Sequence, residues 1–228
     1  MAESAPARHD LVWLAADAPA HARALPGFGA QLSDTSARLA EWTAAGRPLV
    51  LARQPRELPP GRTLLGLPLP PSAGKHRIAY DIATSRIARR APPPPLRAIT
   101  ALLPAEWQTT LQALNDHADI TATNPRAFGS AAMHAVTGIA CLGEDSDLDL
   151  LLTPASRVAA ERALDALGAL VARGSCPRLD GEMVDRQGRA ASWRELLGNT
   201  RQILFKHIDH VGMTTREDFL AGCEGTPA

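Results

Sequence analysis

Apolar residues come in short blocks set apart by polar or Pro/Gly-rich joints, and the period inside the blocks switches between two and about 3.6. "DLVWLA" (10–15) and "RPLVLAR" (47–53), rich in Val and Leu, predict strands. Between them, "SDTSARLAEWTAAG" predicts a helix capped by Ser33 or Asp34 and stopped at Gly46. Residues 58–76, "LPPGRTLLGLPLPPSAGKH", are dense in Pro and Gly and read as loop, and "HRIAYDIA" then resumes strand-like alternation. Four consecutive prolines in "RRAPPPPLRAIT" (89–100) suit neither a helix interior nor a central strand, so they read as an extended spacer between domains.

Past the prolines, "LPAEWQTTLQALNDHA" (103–118) predicts a helix with Trp107, Leu111 and Leu114 on one face. "PRAFGS" (125–130) predicts a strand ending in a tight turn at Gly129–Ser130, and "DLDLLLT" predicts a buried strand. "SRVAAERALDALGALVARG" (156–174) is an amphipathic helix closed by Gly174. "CPRLDGEMVD" and "RQILFKHID" are further strands, with "SWRELLG" a helix between them. The fold class expected is therefore α/β (α+β). A small, basic, mixed α/β domain over residues 1–94 precedes a second domain over 95–228, a sheet covered by helices.

Charge sharpens this division. The formal net charge is zero, but residues 1–96 hold 12 Lys and Arg against 7 Asp and Glu, and residues 97–228 hold 12 against 17. Such a split suits an anionic ligand between a basic half and an acidic, metal-loaded half, and it disfavours nucleic acid as a partner. No stretch nears the roughly 20 apolar residues that cross a bilayer. The N-terminus lacks a cationic start followed by a long apolar core. Cys141, Cys176 and Cys223 form no CxxC pair and suit a reducing compartment, so a cytoplasmic location is expected. The four tryptophans, Trp13, Trp42, Trp107 and Trp193, sit at apolar positions and read as core.

The candidate chemistry concentrates in "GEDSDLDLLLTP" (143–154). Alternation puts Asp147 and Asp149 on one face of a strand that Leu148 and the following leucines anchor in the core. Paired carboxylates repel, and a divalent cation removes the repulsion, whereas Asp145 lies outside the pair. Gly129, with no Cβ, lets backbone N–H groups approach a phosphate, and the Ser130 hydroxyl adds a donor. Asp180 in "RLDGEMV" is a third acid, available as a metal ligand or as the base for a hydroxyl nucleophile. Mg²⁺ (or Mn²⁺) is the expected cofactor, because it favours one or two carboxylates plus substrate phosphates. Lys75 and Arg77 in "GKHRIAY" are expected to bind substrate phosphates, joined by Arg86, Arg89 and Arg90 in "SRIARR"; a solvated basic surface is the plainer reading.

"GS … DLD … D" resembles the polymerase-β-type nucleotidyltransferase superfamily, with a longer insert between Ser130 and Asp147 than is usual there. The resemblance narrows through "RHDLVWL", "GRPLVLARQP", "LGLPLPPSAGKHRIA", "FGSAAMHAVTGIACLGEDSDLDLLL", "RLDGEMV" and "SWREL". Over nearly its whole length the chain is similar to malonate decarboxylase holo-[acyl-carrier-protein] synthases, the phosphoribosyl-dephospho-CoA transferases. The resemblance implies a polymerase-β-like second domain and an aspartate pair falling on Asp147 and Asp149. It also implies transfer of the prosthetic group from 2'-(5-triphosphoribosyl)-3'-dephospho-CoA to a serine of the apo acyl-carrier subunit of malonate decarboxylase, with release of pyrophosphate. The alternatives are an ATP-dependent adenylyltransferase acting on a small molecule or protein side chain, and a non-catalytic binding module that keeps the fold.

Overall fold

The computed structural model describes residues 5–25, 34–74, 77–198 and 200–224, so Ser33 and Lys75 lie outside the described residues. The chain divides into two units. One comprises Met1–Pro93 with Val136–Leu142 and Ile208–His210; the other comprises Pro94–Ala135, Gly143–His207 and Val211–Ala228.

The first unit is built on β1 (Leu11–Leu14), β2 (Arg23–Ala24), α1 (Thr35–Ala44), β3 (Leu49–Leu51), β4 (Arg62–Pro68), β5 (Arg77–Ala83) and β6 (Ile87–Ala91). Its sheet runs in the order β2-β5-β4-β3-β1-β6 with antiparallel neighbours. Asp34 caps α1 by accepting from the Ala37 N–H at 3.3 Å. Leu39 and Trp42 of α1 are buried, and the Tyr80 hydroxyl donates to the Thr35 carbonyl at 2.6 Å, tying the helix to β5. The expected loop over 58–76 is corrected by β4, which pairs with β5 along its whole length, from Arg62↔Ala83 to Pro68↔Arg77. The Pro and Gly count hid it: the prolines flank the strand, and the buried alternation Thr63, Leu65, Leu67 lies between them. "SRIARR", read as basic surface, contains β6, the edge strand beside β1.

The second unit contains α2 (Leu96–Ile99), α3 (Gln108–Asp116), α4 (Ala118–Thr121), β7 (Arg126–Phe128), α5 (Gly129–Thr137), β8 (Leu148–Leu152), α6 (Arg157–Ala172), β9 (Leu179–Val184), β10 (Ala190–Ser192), α7 (Trp193–Leu197), β11 (Gln202–Lys206), β12 (Val211–Thr215) and α8 (Arg216–Ala221). Its sheet order is β12-β11-β10-β9-β8-β7, with β8 and β9 parallel and the other pairs antiparallel. The end of the proline run takes part in this unit. The Pro94 carbonyl accepts from Ala127 N–H at 3.0 Å, and Pro95 bridges to Arg126 beside β7, an edge position where a missing N–H costs nothing. Trp107, Leu111 and Leu114 are buried together, as their spacing predicts.

Strand alternation divides this sheet into two unlike faces. Leu148, Leu150 and Leu152 of β8, Leu179 and Met183 of β9 and Ile203 of β11 are buried on one side. The other side carries Asp149, Asp180, Glu182 and Lys206, joined through the pairings Asp149↔Asp180, Glu182↔Ser192, Val184↔Ala190 and Ala190↔Lys206. α6, capped by Ser156, which accepts from Ala159 N–H at 3.2 Å, makes the crossover that lets β8 and β9 run parallel. No helix among the described residues is long and apolar enough to cross a membrane.

Candidate active site

The site is assembled at the start of β8. In the preceding loop the Ser146 hydroxyl accepts from Gly143 N–H at 2.9 Å and Ser146 N–H donates to the Gly143 carbonyl at 3.1 Å, closing a tight turn. That turn delivers Asp147 and then Asp149, with buried Leu148 between them. Asp149 stands opposite Asp180 in the parallel register of β8 and β9. Gly181 makes this proximity possible: its φ is +133°, and a Cβ there would collide with the Leu150 backbone nitrogen and oxygen. Its N–H also donates to Asp180 Oδ1 at 2.7 Å, which fixes the carboxylate.

Gly129 meets the same aspartate from the other side. It follows Phe128, which pairs with Asp149 on β7, and opens α5 at φ +65°. A Cβ at Gly129 would collide with Asp149 Oδ2, so the carboxylate lies directly on the turn backbone. Ser130 is the next residue and half-buried. The structure thus brings Gly129, Ser130, Asp147, Asp149 and Asp180 into one region of the second unit.

Electrostatics mark Asp149 as the centre of that region. Burial, followed by the charges of Asp180, Asp147 and Glu182, pushes its carboxyl up to about 6, against a smaller lowering by Arg178. Arg178 donates to Asp147 through Nε at 2.9 Å and through Nη2 as well, and Nη2 lies 3.7 Å from Asp180 Oδ2. Four carboxylates on one face are oxygen donors of the kind that suits a hard divalent cation, and Asp147, Asp149 and Asp180 could hold one.

Sequence reasoning missed three participants. Arg178 and Glu182 flank Asp180 inside "RLDGEM", and period-two alternation alone puts Glu182 on the Asp180 face. Lys206 reads from sequence as a surface lysine, because nothing local shows that it pairs with Glu182 two strands away. In the first unit, Arg77 is exposed at the start of β5, its stem over Gly66, where a Cβ would lie 3.0 Å from Arg77 Cδ. Arg86, Arg89 and Arg90 are engaged within that unit. Arg86 pairs with Asp17, Arg90 donates to Asp10 at 2.7 Å, and the Arg89 guanidinium lies 3.5 Å from the centroid of Trp13. Trp13 is thus a stacking partner at the sheet surface, while Trp42, Trp107 and Trp193 are buried.

A mixed sheet with an acidic face, a glycine turn against the central carboxylate and cations at its margins defines a group-transfer enzyme only when its relatives are considered. Residues 95–217 match the model for the phosphoribosyl-dephospho-CoA transferase MdcG C-terminal domain, and residues 7–93 match that for the MdcG N-terminal domain. A phosphoribosyl-dephospho-CoA transferase from Xanthomonas campestris pv. campestris (strain 8004) is 41% identical over 205 residues, covering 89% of this chain and 91% of its own. One from Bradyrhizobium diazoefficiens is 36% identical over 224 residues, covering 97% and 95%. No solved structure matches the chain. The chain belongs to the phosphoribosyl-dephospho-CoA transferase family, and is by that membership a transferase.

Proposed function

We propose that the chain transfers the dephospho-CoA-containing prosthetic group from 2'-(5-triphosphoribosyl)-3'-dephospho-CoA to a serine of the apo acyl-carrier subunit of malonate decarboxylase. Family membership supports the substrate pair. The observation that carries the chemistry is the in-register pair Asp149 and Asp180, with Asp147 beside them and the Gly129 turn against Asp149. Glycine–serine turn, Asp-x-Asp strand and third acid on one sheet support a polymerase-β-type nucleotidyltransferase mechanism.

In this reading the serine oxygen of the carrier forms a bond to the innermost phosphorus while the bond to the bridging oxygen breaks, and pyrophosphate departs with that electron pair. Such a transfer needs positioning and charge neutralisation more than covalent help from the protein. Asp147 and Asp149 would hold Mg²⁺ or Mn²⁺, which when bound supplies the positive charge that the phosphate oxygens require. Asp180 completes the carboxylate set, as a ligand or as acceptor of the serine proton. Backbone N–H groups at Gly129 and the Ser130 hydroxyl bind the outer phosphates. The basic first unit, with Lys75 and Arg77, binds donor or carrier. A cytoplasmic location belongs to the same proposal, and the free thiols of Cys141, Cys176 and Cys223 support it.

Incubation of the apo carrier subunit with this protein, the triphosphoribosyl donor and Mg²⁺ should raise the carrier mass by that of the prosthetic group. A carrier or small molecule labelled only by ATP would make the chain an adenylyltransferase instead. Binding without any transfer would make it a binding module.

A further inference from the structure

The mechanism above leaves unused a cation that the sheet holds on its acidic face. Lys206 Nζ lies 2.9 Å from Glu182 Oε1. Lys206 is on β11 and Glu182 on β9, so the lysine stem crosses β10, whose residues on that face, Ala190 and Ser192, are small. The Glu182 side chain is 7% exposed and close enough to Asp149 to raise its pKa; the Lys206 side chain remains 43% exposed. Lys206 combines an anchored position with accessible N–H donors.

Its place in the sheet decides what it can meet. Gly129 and Ser130 border Asp149 from the β7 side, while Lys206 reaches toward the carboxylates from the β11 side. An anion whose outer phosphates lie on the glycine turn and whose remainder runs across the carboxylates toward β11 meets Lys206. Arg178 is a poorer anchor for that part, because it already sits on Asp147 and Asp180, the acids the reaction requires. We infer that Lys206, held in place by Glu182, binds the diphosphate of the dephospho-CoA moiety, the part of the donor that is retained and transferred. This rests on the proposed transfer reading and names the residue that grips the retained arm. An ammonium suits the task as a compact charge on a flexible stem, and the glutamate restricts that stem beforehand.

The chain has two lysines, so acetylation of Lys206 can be followed by peptide mass spectrometry in the unmodified protein. Dephospho-CoA should slow acetylation of Lys206 at least tenfold, whereas pyrophosphate with Mg²⁺ should leave it unchanged. The double variant Lys206→Met/Glu182→Gln removes both charges of the pair together. It should bind dephospho-CoA at least tenfold more weakly in calorimetry, a loss that pyrophosphate with Mg²⁺ does not share. Absence of protection by dephospho-CoA, or equal loss of both ligands in the double variant, overturns the assignment of Lys206. If the unmodified protein binds neither probe, the transfer reading fails with it; if it binds pyrophosphate alone, only the Lys206 inference fails.

Discussion

A carboxyl held near 6 among three other acids ionises only against burial and repulsion, and the sign of its effect on stability follows from that. In the unfolded chain an aspartate titrates near about 3.9. The folded state binds the Asp149 proton more tightly, so this group's contribution to stability is fully present below about 4 and is lost as pH rises through about 6. The loss is at most about 3 kcal/mol and smaller to the extent that solvent screens the site. Asp149→Asn should therefore melt at the same temperature as the unmodified protein or higher at pH 8 in EDTA, with the gap closing by pH 4. It should also abolish prosthetic-group transfer, as should Asp147→Asn, while Asp145→Asn, exposed and outside the pair, keeps near-normal turnover in the carrier mass assay. Either Asn variant at normal turnover would remove the metal from the mechanism. Ser130→Ala should keep the melting temperature and raise the donor KM roughly ten- to a hundredfold, from loss of about 1.5–3 kcal/mol of hydrogen bonding to a charged phosphate. An unchanged KM would take Ser130 out of the site.

Elements matter through the spacing they impose on these residues. A Cβ at Gly181 would collide with the Leu150 backbone, so Gly181→Ala should cost about 3 kcal/mol in urea unfolding and lower turnover further by moving Asp180 away from Asp149. Wild-type stability in that variant would mean the strands have room to spare. The strand before Gly129, α1, the DLD strand and α6 were legible because their periods are strong, and Asp34 accepts the N–H bond its position predicts; α5, which Gly129 opens, was not, because its first residues read as a tight turn. β4 was hidden by neighbouring prolines, and β10 and β12 carry no strong period-two apolar alternation of their own, so pairing with β9 and β11 is what makes them strands. For the site, residue types were readable at Asp147, Asp149 and Asp180. Glu182 was readable by alternation from Asp180, but Lys206 was not, because its pairing with Glu182 across β10 is a property of the sheet and has no local sequence signal.

At the scale of the molecule, charge asymmetry gives the first unit its proposed share of the work. Arg77→Ala should raise the KM for donor or carrier several-fold with kcat and melting temperature unchanged, since the residue is exposed and distinct from the carboxylate set. If both KM values stay put, the basic edge of β5 takes no part in binding. The same unit also recruits residues from late in the chain: Gln54 N–H donates to the Ile208 carbonyl at 2.6 Å and Arg56 Nε pairs with Asp209 at 3.1 Å. Removal of residues 1–94 would strip those partners as well as the basic surface. The parallel pairing of β8 with β9 has a consequence in the order of assembly. Antiparallel neighbours such as β11 and β12 close over a few residues, but β8 and β9 can meet only after the whole α6 crossover has been ordered, a contact of long sequence separation. Asp149 and Asp180 sit on opposite sides of that slow closure. A locally closed hairpin, β7 with β8 or β9 with β10, holds one of the two acids and not the other, so the pair exists only once the native topology is complete.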